Sequence, residues 1–175
     1  TRDPRDILVS MFYSYCFHHS GEIPPQTGYR KKIEEGGIDE FVKLISSDDF
    51  MQIKGDYGTG NTLGNHVGNL VTRFQNYAEN IASRKETTLV KYEDMVNDFS
   101  SWMEQVSLPF GLTIDDEAVK TIIEENRHTF SVSNEDKTKK KRQVTPGDHK
   151  NKLTNETIEL LNKRFKSSLD LFGYQ

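Results

Sequence analysis

The chain has 175 residues, 34% apolar and 29% charged, with 23 basic and 27 acidic side chains and a formal charge of −4. That is the size of one ordinary domain, and an acidic pI near 5.7 argues against a general nucleic-acid binder, which is normally basic. The mean hydropathy is −0.73, no run approaches the ~20 apolar residues of a membrane span, and a lone cysteine, Cys16, excludes an internal disulfide framework or a cysteine zinc cluster.

The chain opens Thr1-Arg2-Asp3-Pro4, with no initiator Met and no signal or transit peptide, so it is expected to be a piece of a longer protein. With one cysteine, a reducing, cytoplasmic setting is the simplest expectation. Asp3-Pro4 is a strong helix start, with Asp3 as N-cap and Pro4 in the first helical position. Asp6 adds negative charge near the positive end of the helix dipole. Ile7, Leu8, Met11, Phe12, Tyr15 and Cys16 then recur at helical spacing, and the stretch Gly21 to Gly28, containing Pro24-Pro25, ends the helix in a loop. Adjacent His18 and His19 point about 100° apart on a helix and do not readily share a metal.

Ile38, Phe41, Val42 and Ile45 mark a short amphipathic helix after Gly36-Gly37. Residues 55–65 are rich in Gly and Asn and are expected to be irregular. They lack the G-x-x-x-x-G-K-[ST] of a phosphate loop. Val67, Leu70, Val71, Phe74, Tyr77 and Ile81 give the best helical stripe in the chain. Thr88-Leu89-Val90-Lys91-Tyr92 is the one convincing strand, short and apolar at its centre, as a buried parallel strand would be. Phe99, Trp102, Met103 and Val106 predict a helix stopped by Pro109 and Gly111. A further helix begins at Asp115 or Asp116 with Val119, Ile122 and Ile123 facing in. Residues 131–153 read as polar and irregular. Thr154 is the expected N-cap of one final helix carrying Ile158, Leu161, Phe165, Leu169 and Phe172.

Charge is uneven. Residues 137–152 hold seven bases and one acid, a local +6, against 16 bases and 26 acids, −10, in the rest. Lys137, Lys139, Lys140, Lys141 and Arg142 form either a solvated basic loop or a loop that folds over an anionic ligand. At the other end of the chain, a capped helix start presents free N–H groups and a positive dipole end, a ready anion site. Arg2, just before it, offers paired donors to a phosphate, and Ser10, two turns along, offers a hydroxyl. The alternative is that Arg2 pairs with Asp3 or Asp6 and Ser10 is an ordinary helical serine.

Three segments, in order, resemble one family. They are Arg2-Asp3-Pro4-Arg5-Asp6-Ile7-Leu8-Val9-Ser10, Val90-Lys91-Tyr92-Glu93-Asp94-Met95, and Arg142 through Gly147-Asp148-His149-Lys150-Asn151 to Thr154. Together they resemble the sulfotransferases that use 3′-phosphoadenosine 5′-phosphosulfate (PAPS) and release adenosine 3′,5′-bisphosphate (PAP). The resemblance implies that Arg2, Ser10 and Arg142 hold the 3′-phosphate, that Tyr92 lies near the adenosine and that Phe130 stacks on adenine. It implies an α/β, P-loop-like three-layer fold with a central parallel sheet, this chain being its helix-rich C-terminal part within a single domain, 1–175. The catalytic lysine loop and general base, a His or Glu, are then expected upstream of Thr1, so the catalytic residues are unknown and the segment alone is expected to be inactive. The sequence also departs from the pattern. Gln143 and Val144 stand where the family commonly has Lys-Gly, and His149 stands where it usually has Trp.

The implied reaction is in-line sulfuryl transfer, driven by positioning and electrostatic stabilisation, to a hydroxyl or amine acceptor on a small or carrier-bound molecule. No metal is implied. Three readings stay open at this stage: a sulfotransferase, a non-catalytic sulfotransferase-like binding domain, and a helical interaction domain whose basic loop meets acidic partners. The first predicts binding that depends on the 3′-phosphate, the second no nucleotide binding, and the third salt-sensitive binding without that selectivity.

Overall fold

The predicted first helix is present as α1, Pro4–Tyr13, with the Asp3 carboxylate accepting the Arg5 backbone N–H and Pro4 in the first turn. This computed structural model describes residues 1–14, 29–47, 70–130, 135 and 144–175. Cys16, His18, His19, the Gly-rich stretch and the basic run through Arg142 and Gln143 lie outside the described residues. Among those described, every regular element is helical.

In chain order α2 is Tyr29–Ile45, kinked at Gly37 (φ 64°, ψ −148°). Gly37 is non-helical, so the range is two helices meeting at a kink, and the stretch after it is the short helix predicted from Ile38 to Ile45. α3, Leu70–Tyr77, runs into a π-helical turn, Ala78–Ala82. α4 is Tyr92–Asn97 and α5 is Phe99–Ser107, followed by the 3₁₀ turn Leu108–Phe110 and Gly111 at φ 71°. α6 is Glu117–Asn126. α7, His149–Lys152, is a short helix inside a stretch that reads as irregular. The single final helix is two, α8 (Asn155–Arg164) and α9 (Lys166–Phe172), interrupted at Phe165 (φ −97°, ψ 11°). Thr154 is the N-cap of α8, as expected, and accepts from the Thr157 N–H.

The predicted strand is the largest difference. Residues 87–91 form no ladder, and Tyr92 begins α4 instead of ending a strand. Glu93 and Asp94 explain why the helix starts there, since acids in the first turn meet the positive end of the dipole. One fragment of sheet geometry remains. The Thr1 nitrogen donates to the Val90 carbonyl at 2.6 Å, and the Tyr92 N–H donates to the Thr1 carbonyl at 2.8 Å. That pair of bonds is the parallel pattern, with Thr1 opposite Lys91.

The chain divides into two units, Thr1–Arg2 with Ile81–Pro146, and Asp3–Asn80 with Gly147–Gln175. The second has a continuous core of Leu8, Val9, Tyr13, Ile33, Phe41, Val42, Ile45, Leu153, Leu161, Phe165 and Leu169. Phe74 of α3 meets Phe165 and Phe172 edge-on, at 6.1 and 6.5 Å between ring centroids. Polar ties align its helices. Asp39 of α2 accepts both the N–H and the hydroxyl of Thr154, and Arg164 donates to the Lys43 carbonyl and the Ser46 hydroxyl at the end of α2. In the first unit, Met103 and Val119 are buried and Phe99 lies between Trp102 and Phe130, at 5.8 and 5.2 Å.

Candidate functional site

Two carboxylates stand beside Arg2 in the sequence, and each is engaged by a different partner. Asp3 takes Arg5. The Arg5 guanidinium is 2% exposed and grips the Asp3 carboxylate through Nε at 3.0 Å and Nη2 at 2.7 Å. Nη1 also donates to Asn162 Oδ1 at 2.6 Å and Nη2 to the Gln175 carbonyl at 2.8 Å. A bidentate pair with such additional hydrogen bonds is the form in which a buried arginine is tolerated. Asp6 takes His149.

Arg2 lies instead over the ring of Tyr92, 4.4 Å from guanidinium carbon to ring centroid, a cation–π arrangement. Its Nε is buried and has no hydrogen-bond partner among the described residues. The guanidinium is thus stacked on an aromatic face. The parallel pairing of Thr1 with residues 90–92 explains how this happens, because it places the residue next to Arg2 beside the start of α4.

The other predicted residues are distributed as follows. Ser10 is exposed on α1. Phe130 is half-buried, stacked on Phe99. Arg142 lies outside the described residues. Arg2 and Tyr92 are the two predicted residues that the structure brings together.

A constellation that sequence reasoning missed sits at the first turn of α1. Asp6 is fully buried and accepts three hydrogen bonds. Its Oδ2 takes the Gly147 N–H at 2.7 Å, and its Oδ1 takes the His149 N–H at 2.9 Å and His149 Nδ1 at 2.7 Å. Burial opposes the charge on Asp6. The bonds from the His149 ring and from the His149 and Gly147 backbone outweigh it and hold the carboxyl below its ordinary value. Gly147 takes φ 76°, a left-handed turn that glycine adopts without strain. His149 is 1% exposed, and its Nε2 is enclosed with no hydrogen-bond partner among the described residues. The only sequence signal for this cluster was the Asp of Asp3-Pro4-Arg5-Asp6 together with Gly147-Asp148-His149. Nothing local links segments 141 residues apart.

Among the described residues no group of His, Cys, Asp and Glu could hold a metal ion, and no helix is long and apolar enough to cross a membrane. A family model described as "Sulfotransferase domain" matches residues 1–173. No curated protein and no solved structure matches the chain.

Proposed function

The chain belongs to the sulfotransferase domain family, and on that premise we propose that it binds PAPS and serves in-line transfer of the sulfuryl group to a hydroxyl or amine acceptor. The acceptor is a small or carrier-bound molecule in this reading. The observation that carries the nucleotide part is the Arg2 guanidinium, set over Tyr92 with a buried Nε that has no hydrogen-bond partner among the described residues, while Asp3 and Asp6 are engaged by Arg5 and His149. An arginine whose neighbouring carboxylates are occupied is a donor for a phosphate.

The residues therefore fit the nucleotide, and their roles follow from their chemistry. Arg2 takes the 3′-phosphate through its guanidinium, with the exposed Ser10 hydroxyl as a further donor and Arg142 as a second cation. Tyr92 holds the Arg2 plane and bounds the adenosine, and Phe130 offers an aromatic surface to the base. The bound donor supplies an activated sulfuryl group on a phosphate leaving group. The P-loop-like α/β architecture with a parallel sheet belongs to the same proposal, and the parallel pairing of Thr1 with Lys91 supports it.

Calorimetric titration with PAP, with 5′-AMP as the control, tests the reading. We expect PAP to bind at least ~100-fold more tightly, about 2.7 kcal/mol. Arg2→Ala is expected to remove most of that preference while 5′-AMP binding stays put. Equal binding of the two nucleotides by folded protein overturns the proposal.

A further inference from the structure

The break at Phe165 (φ −97°, ψ 11°) does more than divide α8 from α9. Asn162 and Lys163 before it and Leu169 after it line a cavity of about 410 Å³, together with Arg5 of α1 and Tyr174. Small-molecule sites run from roughly 300 to 1,000 Å³. All five residues belong to the second unit, and none is assigned to the nucleotide above. We propose that this cavity binds a small organic anion, its acidic head on Arg5, Asn162 and Lys163 and its apolar body on Leu169 and Tyr174.

The polar side of the cavity is a set of donors with capacity to spare. A guanidinium carries five N–H groups. Arg5 uses Nε–H and one Nη2–H on Asp3, the other Nη2–H on the Gln175 carbonyl and one Nη1–H on Asn162 Oδ1. The second Nη1–H has no hydrogen-bond partner among the described residues, although the side chain is 2% exposed. A buried donor left without a bond is costly, so an acceptor in the cavity removes a penalty. The bond from Arg5 also orients the Asn162 amide. Its oxygen is taken, and its N–H₂ has no partner among the described residues. Lys163 is exposed and makes no ion pair among the described residues. The acids here are already committed, Asp3 to Arg5 and Asp170 to Lys166 at 2.7 Å. Three cations against these two acids leave one positive charge, that of Lys163, for an anion.

The apolar side is built by the end of α9. Gly173 takes the left-handed region at φ 66°, and the Tyr174 N–H then donates to the Leu169 carbonyl at 2.9 Å. This is the bond that closes a helix C-terminus on a left-handed glycine, and it fixes the Tyr174 backbone beside Leu169. Leu169 is 5% exposed and Tyr174 half-buried. An inorganic anion meets only the donors and a neutral aromatic only the apolar side. The ligand that uses both is an acid on an apolar frame.

The test titrates the chain calorimetrically with 2-naphthoate, with 2-naphthamide as the neutral match and inorganic sulfate as an anion without the body. We expect 2-naphthoate to bind with a Kd below about 1 mM and at least ~10-fold more tightly than either control. Lys163→Gln should weaken it about fivefold or more. Lys31→Gln, at an exposed lysine of α2 that does not line the cavity, should leave it unchanged, and so should Arg2→Ala. Because Lys163 is exposed, its variant is expected to fold. No saturable binding by the folded wild-type chain overturns the proposal, as does either control binding as tightly as 2-naphthoate. An unchanged affinity in Lys163→Gln, or an equal loss in Lys31→Gln, overturns it too. A loss in Arg2→Ala without one in Lys163→Gln moves the anion to Arg2 and overturns it. The presence or absence of PAP binding decides the nucleotide reading and leaves this one standing.

Discussion

Arg5 and Asp3 lie two residues apart, yet their pairing depends on the far end of the chain. The guanidinium is enclosed with Asn162 and the Gln175 carbonyl accepting further bonds from it. Removing one member of such a pair leaves a buried charge without its partner. Arg5→Met is expected to lower unfolding free energy by about 3–5 kcal/mol, measured by urea denaturation. A loss under about 1 kcal/mol would place Arg5 with the exposed pairs Lys31–Glu35 and Lys166–Asp170, which are worth little. The Asp3 cap was legible in the sequence because its acceptor and donor are two residues apart. The Arg5 and Asp6 pairings were not, because their partners are 157 and 141 residues away and no local pattern encodes them.

At the scale of elements, apolar spacing located the helices and misplaced their ends. The Phe41, Val42 and Ile45 stripe is the buried face of the helix that follows Gly37, as its spacing predicts, and Gly37 with its positive φ breaks it from the helix before. A Cβ at Gly37 would meet nothing within 4 Å, so the cost of replacing it comes from the backbone alone. Gly37→Ala is expected to destabilise by about 1–2 kcal/mol, read as a lower thermal midpoint. No loss would mean that the kink tolerates an ordinary φ. The strand expectation at 88–92 failed for a different reason. A short apolar run specifies extended backbone only when a neighbouring strand takes its hydrogen bonds. Here one residue, Thr1, takes them, and the run gives way to α4 at Tyr92. The candidate site was legible to the same degree: Arg2 and Tyr92 were named from motifs, but their contact follows from that one parallel pair.

At the scale of the whole molecule, apolar exposure is concentrated in the smaller unit. Leu108 and Phe110 are 64% and 77% exposed, with Leu112, Ile114 and Ile122 exposed nearby in sequence. Side chains that accessible contribute little to folding. The double substitution Leu108→Ser with Phe110→Ser is expected to change stability by less than about 0.5 kcal/mol per site and to lower binding of a hydrophobic dye. A large loss of stability would mean that these side chains are packed in solution. The first six residues have another consequence. Thr1 bonds to a residue 89 positions away, Asp6 to residues 141 and 143 away, and Arg5 to residues 157 and 170 away. Helical proteins usually fold fast because their contacts are local, and distant closures slow them. The start of α1 is made well before residues 162–175, so it is among the last parts of these 175 residues to reach its native contacts.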